Sequence, residues 1–328
     1  MDRAHQIAIV AADAALASCG PSPDPERCAI VIGSGLGAPG YLQDQVAAFA
    51  LRGPRAVSPM AIPIAMANSV AGNLAIRYGF RGPANTINMA CASGSAAIGE
   101  AMWLLRTGRA DRVLAGGVEA PITAASAASF ARMEAMSSRL GDPGAASRPF
   151  DTDRDGLVLG EGAAFVVLER AAPGQEVLGH VLGYMANSDA HHMVAPRPDG
   201  EAAAACMRGA LADAGLAPEA IGHVNAHGTS TRLNDEAEAR ALRMVFGARP
   251  IPVTANKGVL GHLIGAAGAM EAIATWAALR AGVVPPIANL ASTDVDVNAL
   301  SEPAPIESTS ALSNSFGFGG HNATLVLG

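Results

Sequence analysis

Three observations predict an α/β fold built from two similar halves. Short apolar runs alternate with longer helical patterns along the chain, which is how mainly parallel sheets covered by helices on both faces read in sequence. The alternation occurs twice, once in each half. Of the 328 residues, 50% are hydrophobic, rich in Ala, and only 16% are charged, so much of the chain must be buried within itself or against a partner.

In order, the first half holds strands over 28–34, 84–90, 112–119 and 163–169, with helices over 4–18, 61–79 and 94–107. The run 84–90 is apolar enough to be buried on both faces. The helix after it places Ala97, Ala101, Leu104 and Leu105 on one face and stops at Gly108. Segment 120–160, with Gly141, Pro143, Gly144 and Pro149, reads as a cap of loops and short helices. The second half holds strands over 176–187, 222–227, 251–255, 310–315 and 322–327, with helices over 199–214, 234–247 and 262–281. The halves divide as 1–171 and 172–328.

Four segments carry chemistry. Ala84-Asn85-Thr86-Ile87-Asn88-Met89-Ala90-Cys91-Ala92-Ser93-Gly94 puts Cys91 at a strand-to-helix junction. There a helix dipole and free N–H groups favour the thiolate and lower a thiol pKa from about 8.5 by one to several units. On residue type alone Cys91 also reads as a buried, inert thiol. Val224-Asn225-Ala226-His227-Gly228-Thr229-Ser230-Thr231 is a short strand delivering a histidine to a turn flanked by hydroxyls. Asn256-Lys257-Gly258-Val259-Leu260-Gly261-His262 precedes the small-residue helix start Gly265-Ala266-Ala267-Gly268. Ser313-Asn314-Ser315-Phe316-Gly317-Phe318-Gly319-Gly320-His321-Asn322 is a glycine-rich bend before the last strand. A thiol at a helix start and two histidines at strand ends form a rare combination in one chain.

With Arg148-Pro149-Phe150-Asp151 and Arg154-Asp155-Gly156-Leu157-Val158-Leu159-Gly160-Glu161-Gly162 between them, these motifs resemble those of the elongating β-ketoacyl-acyl-carrier-protein synthases, in the thiolase superfamily. The resemblance implies a thiolase-like fold and a decarboxylative Claisen condensation of an enzyme-bound acyl thioester with a malonyl thioester. It makes Cys91 the acylated nucleophile, His227 and His262 the histidine pair that holds the enolate oxygen, and Lys257 the active-site lysine. Glu271 is implied as the carboxylate partner of Lys257, and Asp235 as a further acid of the site. The N–H groups of Cys91 and Phe318 are implied as the oxyanion hole, with Phe318 also the gate of the acyl tunnel. Thr229 and Thr231 match hydroxyls that bond the pantetheine arm, and Leu36 and Phe130 match residues lining the acyl pocket. A degradative thiolase would have a second cysteine where this chain has His321, and a starter-condensing synthase would pair His with Asn.

The resemblance also carries departures. The family opens with a strand, a helix and a loop ahead of Met1, and that strand is expected at the centre of the first sheet, where its loss would leave backbone groups unpaired. The basic patch that docks the acidic carrier is depleted: Arg55 remains, beside Ala56, and Glu134 stands where an arginine is common. The partners implied are an acyl carrier protein and a second chain, either an identical copy or a ketosynthase paralogue. No cofactor or metal is expected, the substrates being carried on the phosphopantetheine of a carrier protein or coenzyme A. A repurposed acyltransferase or thioester hydrolase, and a non-elongating partner subunit, remain as alternative functions; the intact Cys91 speaks against the last.

The formal charge of −7 argues against a nucleic-acid surface. No charged leader is evident and the apolar runs break before about 18 residues, so a soluble cytoplasmic protein is expected. Cys19, Cys28, Cys91 and Cys206 have neither metal-ligand nor CxxC spacing, which fits a reducing compartment with one functional thiol.

Overall fold

A computed structural model describes residues 1–171, 174 and 177–328. The division at 171/172 and the first residue of the strand expected over 176–187 therefore touch residues outside the described ones. The chain folds as α1 (Arg3–Leu16), β1 (Cys28–Gly33), α2 (Pro39–Arg52), α3 (Ala61–Ala65), α4 (Ser69–Tyr78), β2 (Ala84–Ile87), α5 (Ser93–Arg106) and β3 (Arg112–Glu119). It continues with α6 (Ala124–Arg132), β4 (Gly162–Glu169), β5 (Val181–Ser188), α7 (Glu201–Ala214), β6 (Ile221–Asn225), α8 (Arg232–Phe246) and β7 (Val253–Thr254). The last elements are α9 (Lys257–Leu260), α10 (Ala267–Ala281), β8 (Val283–Val284), β9 (Ala304–Pro305), β10 (Ser310–Gly317) and β11 (His321–Leu327).

Two sheets form, in the orders β2-β1-β3-β4 and β5-β11-β10-β6-β7, and β8 pairs with β9 separately. In the first sheet β1 is parallel to β2 and β3, and β4 is antiparallel to β3. The second sheet repeats this: β6 is parallel to β7 and β10, and β11 is antiparallel to β10. It adds β5 outside β11. The first sheet has no break at its centre, contrary to expectation, because β1 and β3 pair directly along six residues and satisfy each other's backbone groups. Against the second sheet, the position without a counterpart lies beside β4, at an edge.

Helices α5 and α10 lie between the sheets, packed on β1 and β3 from one side and β10 and β11 from the other. They approach closely because both present small residues: a Cβ on Gly94 would sit 2.8 Å from Ala269 N, and one on Gly268 would sit 2.3 Å from Ser95 Oγ. Outside the first sheet α1 and α4 bury Ala8, Ala12 and Leu74 against Ile30 and Ile32, and outside the second α7 and α8 bury Met207 and Leu242. This layering places the C-terminal ends of β1, β6 and β10 and the N-terminus of α5 in one region.

Several boundaries differ from expectation. The helix expected over 61–79 is two helices, because Ser69 turns its hydroxyl back to the Ile64 carbonyl (2.9 Å) and Met66 is extended. Strand 84–90 stops at Ile87, and as a sheet edge it leaves Ala84 and Asn85 exposed rather than buried on both faces. Helix α2 was not legible: only Ala48 of its 14 residues is buried, so no core-facing stripe marks it. The helix expected from 262 begins as a 3-10 turn at Ile264, and the strand expected over 251–255 keeps only Val253 and Thr254 in the ladder.

Candidate active site

Cys91 lies in a 3-10 turn, Ala90–Ala92, that runs directly into α5. The turn is strained, with Ala90 at φ 49°. Ser93 braces it by accepting from Met89 N (2.9 Å) and donating to the Ala90 carbonyl (2.6 Å), while Asn88 accepts from Ala90 N (3.2 Å). The helix-start position is as expected, but its effect on the thiol is not. Burial pushes Cys91 up to about 11; Lys257 and the Phe318 and Cys91 N–H groups pull the other way without prevailing.

β6 ends at Asn225 and delivers His227 to the cavity, where it is 2% exposed. Glu238 fixes this turn from the second turn of α8, its two oxygens accepting from His227 N and Gly228 N, each at 2.9 Å. Burial pushes the Glu238 carboxyl up to about 7. Glu238 had not been picked out from sequence; its place three residues after Asp235, on the same helical face, was the available signal. Asp235 accepts from Phe150 N (2.8 Å), lies 3.6 Å from Arg154, and is pushed up to about 6 by burial, so it ties α8 to the loop between α6 and β4 and is not among the residues lining the cavity.

Lys257 is 1% exposed and its Nζ donates to Glu271 Oε1 (2.5 Å) and the His227 carbonyl (2.6 Å), and lies 3.2 Å from His227 Nδ1. A lysine ammonium has no lone pair, so Nδ1 is the acceptor and Nε2 carries the proton. For His262 the same follows from Ile264 N–H, which donates to its Nδ1 (3.2 Å). Burial and the Lys257 charge hold both rings well below the ordinary histidine pKa, hence neutral. The ring centroids are 5.4 Å apart, and ligand atoms of Cys91, His227 and His262 lie within 4.8 Å of one another. In these tautomers the cluster presents N–H donors suited to an oxygen anion rather than two free imidazole lone pairs to a cation.

These groups open on a cavity of about 490 Å³. Its inner wall holds Phe130, stacked on Phe318 at 6.0 Å, and Phe316; Thr229 and Thr231 line it with hydroxyls 2.8 Å apart. Arg197 and Arg232 line it as well, two cations the sequence reading did not single out, together with Glu134. Leu36, expected in the acyl pocket, is instead 44% exposed and is not on the cavity wall: its backbone N–H is held by buried Glu119 while its side chain is left at the surface of an otherwise mostly buried loop. Arg55 is exposed in the short turn after α2.

The N-terminal domain of beta-ketoacyl synthase matches residues 1–173 and the C-terminal domain matches residues 178–291. A 3-oxoacyl-[acyl-carrier-protein] synthase 2 of Synechocystis sp. (strain ATCC 27184 / PCC 6803 / Kazusa) is 43% identical over 311 residues, 92% of this chain and 75% of the relative. Among solved structures, a type II polyketide ketosynthase in complex with its acyl-carrier protein, AntDE:AntF, is 30% identical with TM-score 0.93, covering 99% of this chain and 84% of that one. The ishigamide ketosynthase/chain length factor is 31% identical with TM-score 0.92, covering 100% and 82%. Matched through both halves by sequence and by structure, the chain belongs to the β-ketoacyl synthase family, and its fold is the thiolase-like α/β fold of those ketosynthases.

Proposed function

We infer that this chain is an acyl-transferring condensing enzyme of fatty-acid or polyketide biosynthesis, joining an acyl group held on Cys91 to a malonyl thioester with loss of carbon dioxide. The observation that carries the reading is the cluster of one thiol and two neutral Nε2–H donors at the base of a single cavity. In the first step the Cys91 sulfur bonds the acyl carbon, the substrate's own C–S bond breaks, and the thiol proton leaves with the carrier thiol. The Cys91 and Phe318 N–H groups serve the tetrahedral oxygen, each such donor contributing about 3–4 kcal/mol. In the second step the malonyl C–C bond breaks, carbon dioxide departs, and the electron pair becomes an enolate whose oxygen is held by His227 and His262. The enolate carbon then attacks the acyl carbon and Cys91 leaves as thiolate.

Lys257 keeps His227 in the donor tautomer, with Glu271 balancing its charge. Phe318 and Phe130 fit the gate and wall of the acyl channel, and the Thr229–Thr231 pair fits the amides of a pantetheine arm. The substrates would therefore bring phosphopantetheine with them, on a carrier protein or coenzyme A, and the reaction draws on no further cofactor. An acidic carrier would meet Arg232 and Arg197 at the cavity in place of the depleted patch. Among the described residues no helix is long and apolar enough to cross a membrane.

Intact mass spectrometry after incubation with a panel of acyl thioesters, with and without a malonyl thioester, tests the reading. An acyl adduct that disappears on malonyl addition, with release of a lengthened thioester, is the expected result. Acylation followed only by free acid would instead establish a hydrolase, and no adduct with any donor would point to a non-elongating subunit.

A further inference from the structure

Glu119, the last residue of β3, is fully buried and takes no part in the chemistry above. Its carboxylate accepts four hydrogen bonds: Oε2 from Gly35 N (2.6 Å) and Gly265 N (3.0 Å), and Oε1 from Leu36 N (3.1 Å) and Ser34 Oγ (3.3 Å). Three of the four are backbone N–H groups, which can only donate and so favour the charged carboxylate, against the burial that pushes the carboxyl up on balance. Glu119 thereby joins the loop after β1 to the turn that follows His262. No side chain larger than hydrogen fits between them, since a Cβ on Gly265 would lie 2.5 Å from both Glu119 Oε2 and Gly35 N.

What this clasp holds is a strained residue. Ile264, immediately before Gly265, sits at φ 45°, a region a β-branched residue avoids. Ile264 packs beside Cys91 and Phe130, and its N–H is the donor that fixes His262 with Nε2–H toward the cavity. We propose that Glu119 is a positioning residue for condensation, holding the strained Ile264–Gly265 turn so that His262 keeps its enolate-binding tautomer. The inference rests on the condensing reaction proposed above. A second consequence concerns Cys91. The charged groups acting on its sulfur are Lys257, which favours the thiolate, and Glu119, which opposes it; Glu271 is paired to Lys257, and His227 and His262 are uncharged.

Glu119→Gln removes the charge and two of the acceptor positions, and Glu119→Asp keeps the charge but shortens the reach. Both are expected to release carbon dioxide from a malonyl thioester more slowly, on the order of tenfold to a hundredfold for a misplaced group, while acyl loading of Cys91 changes far less. The pH midpoint for alkylation of Cys91 should fall in Glu119→Gln and stay in Glu119→Asp, a split that a general packing role would not produce. Folded variants that load and decarboxylate in the unmodified ratio, with unmoved alkylation midpoints, would overturn the proposal. Loss of the fold in both variants would overturn it too, in favour of a purely structural carboxylate. An unmodified protein that neither loads nor decarboxylates would sink the condensing reading itself, and this inference with it.

Discussion

At Cys91 the surroundings oppose ionisation on balance, since burial lifts the thiol to about 11 against the pull of Lys257 and two backbone N–H groups. Alkylation of Cys91 should therefore rise steadily from pH 7 to beyond pH 10 rather than level off near 8. Acylation should be confined to this residue. Cys91→Ala is expected to show no acyl adduct by mass spectrometry, while Cys19→Ala, Cys28→Ala and Cys206→Ala load normally; an adduct persisting in Cys91→Ala would contradict the assignment. In the proposed reaction the two histidines act later, on the enolate. His227→Ala and His262→Ala should still load slowly yet release no carbon dioxide from a malonyl thioester, as followed by labelled carbonate, and condensation at the unmodified rate would remove that role. Lys257→Ala has a different effect, because it strands Glu271 in a site where both partners are about 2% exposed. Breaking a buried pair costs about 3–5 kcal/mol, and an unchanged urea midpoint would show that the pair does not behave as buried.

Among the elements, β6 combines an end that leads to His227 with a costly middle. His223 is fully buried in it, neither ring nitrogen has a hydrogen-bond partner, and burial lowers its pKa from 6.5 to about 4. The folded pKa is the depressed one, so the unfolded chain takes up the proton first as pH falls below about 6.5. Stability present above that pH is lost between about 6.5 and 4. Between pH 8 and pH 5 the His223 contribution is about 2 kcal/mol. His223→Leu should remove that part of the acid sensitivity, measured as the difference in unfolding free energy at the two pH values; an unchanged difference would place the sensitivity elsewhere. His227 and His262 titrate in the same direction and leave a remaining acid slope.

Over the whole molecule, one surface is conspicuous. Helix α2 shows Leu42, Val46 and Phe49 along a single stripe, 44%, 60% and 57% exposed, and β2 is an open sheet edge. Exposed apolar groups at i, i+4 and i+7 form a stripe of the kind that interaction surfaces carry, and we propose that a second chain covers it. If that second chain is an identical copy, the expected assembly is an isologous dimer. Light scattering should give twice the chain mass, and Val46→Asp should shift it toward monomer without changing the circular dichroism; a stable, active monomer in the unmodified protein would contradict this.

How much of this was legible in sequence depends on which atoms carry each feature. Alternating apolar runs and helical faces determined the α/β class and the place of most elements, because burial of one face writes a period into the chain. The order of residues around Cys91, His227, Lys257 and His262 marked the chemistry, since a thiol and imidazoles at element ends are informative wherever they occur. Tertiary structure decided the rest. Glu119 and Glu238 act on backbone N–H groups of distant segments, and such donors have no sequence identity to reveal the match. The thiol's balance was decided there too, because desolvation depends on what surrounds Cys91 and local helix geometry alone predicted the opposite shift. Helix α2 left no core-facing pattern because its apolar stripe looks outward, and the exposure of Leu36 was set by the backbone bond from its N–H to Glu119, a partner distant in sequence. The unbroken pairing of β1 with β3 could be seen only once both strands were in place, since ladder partners such as Cys28 and Arg112 lie 84 positions apart in the chain.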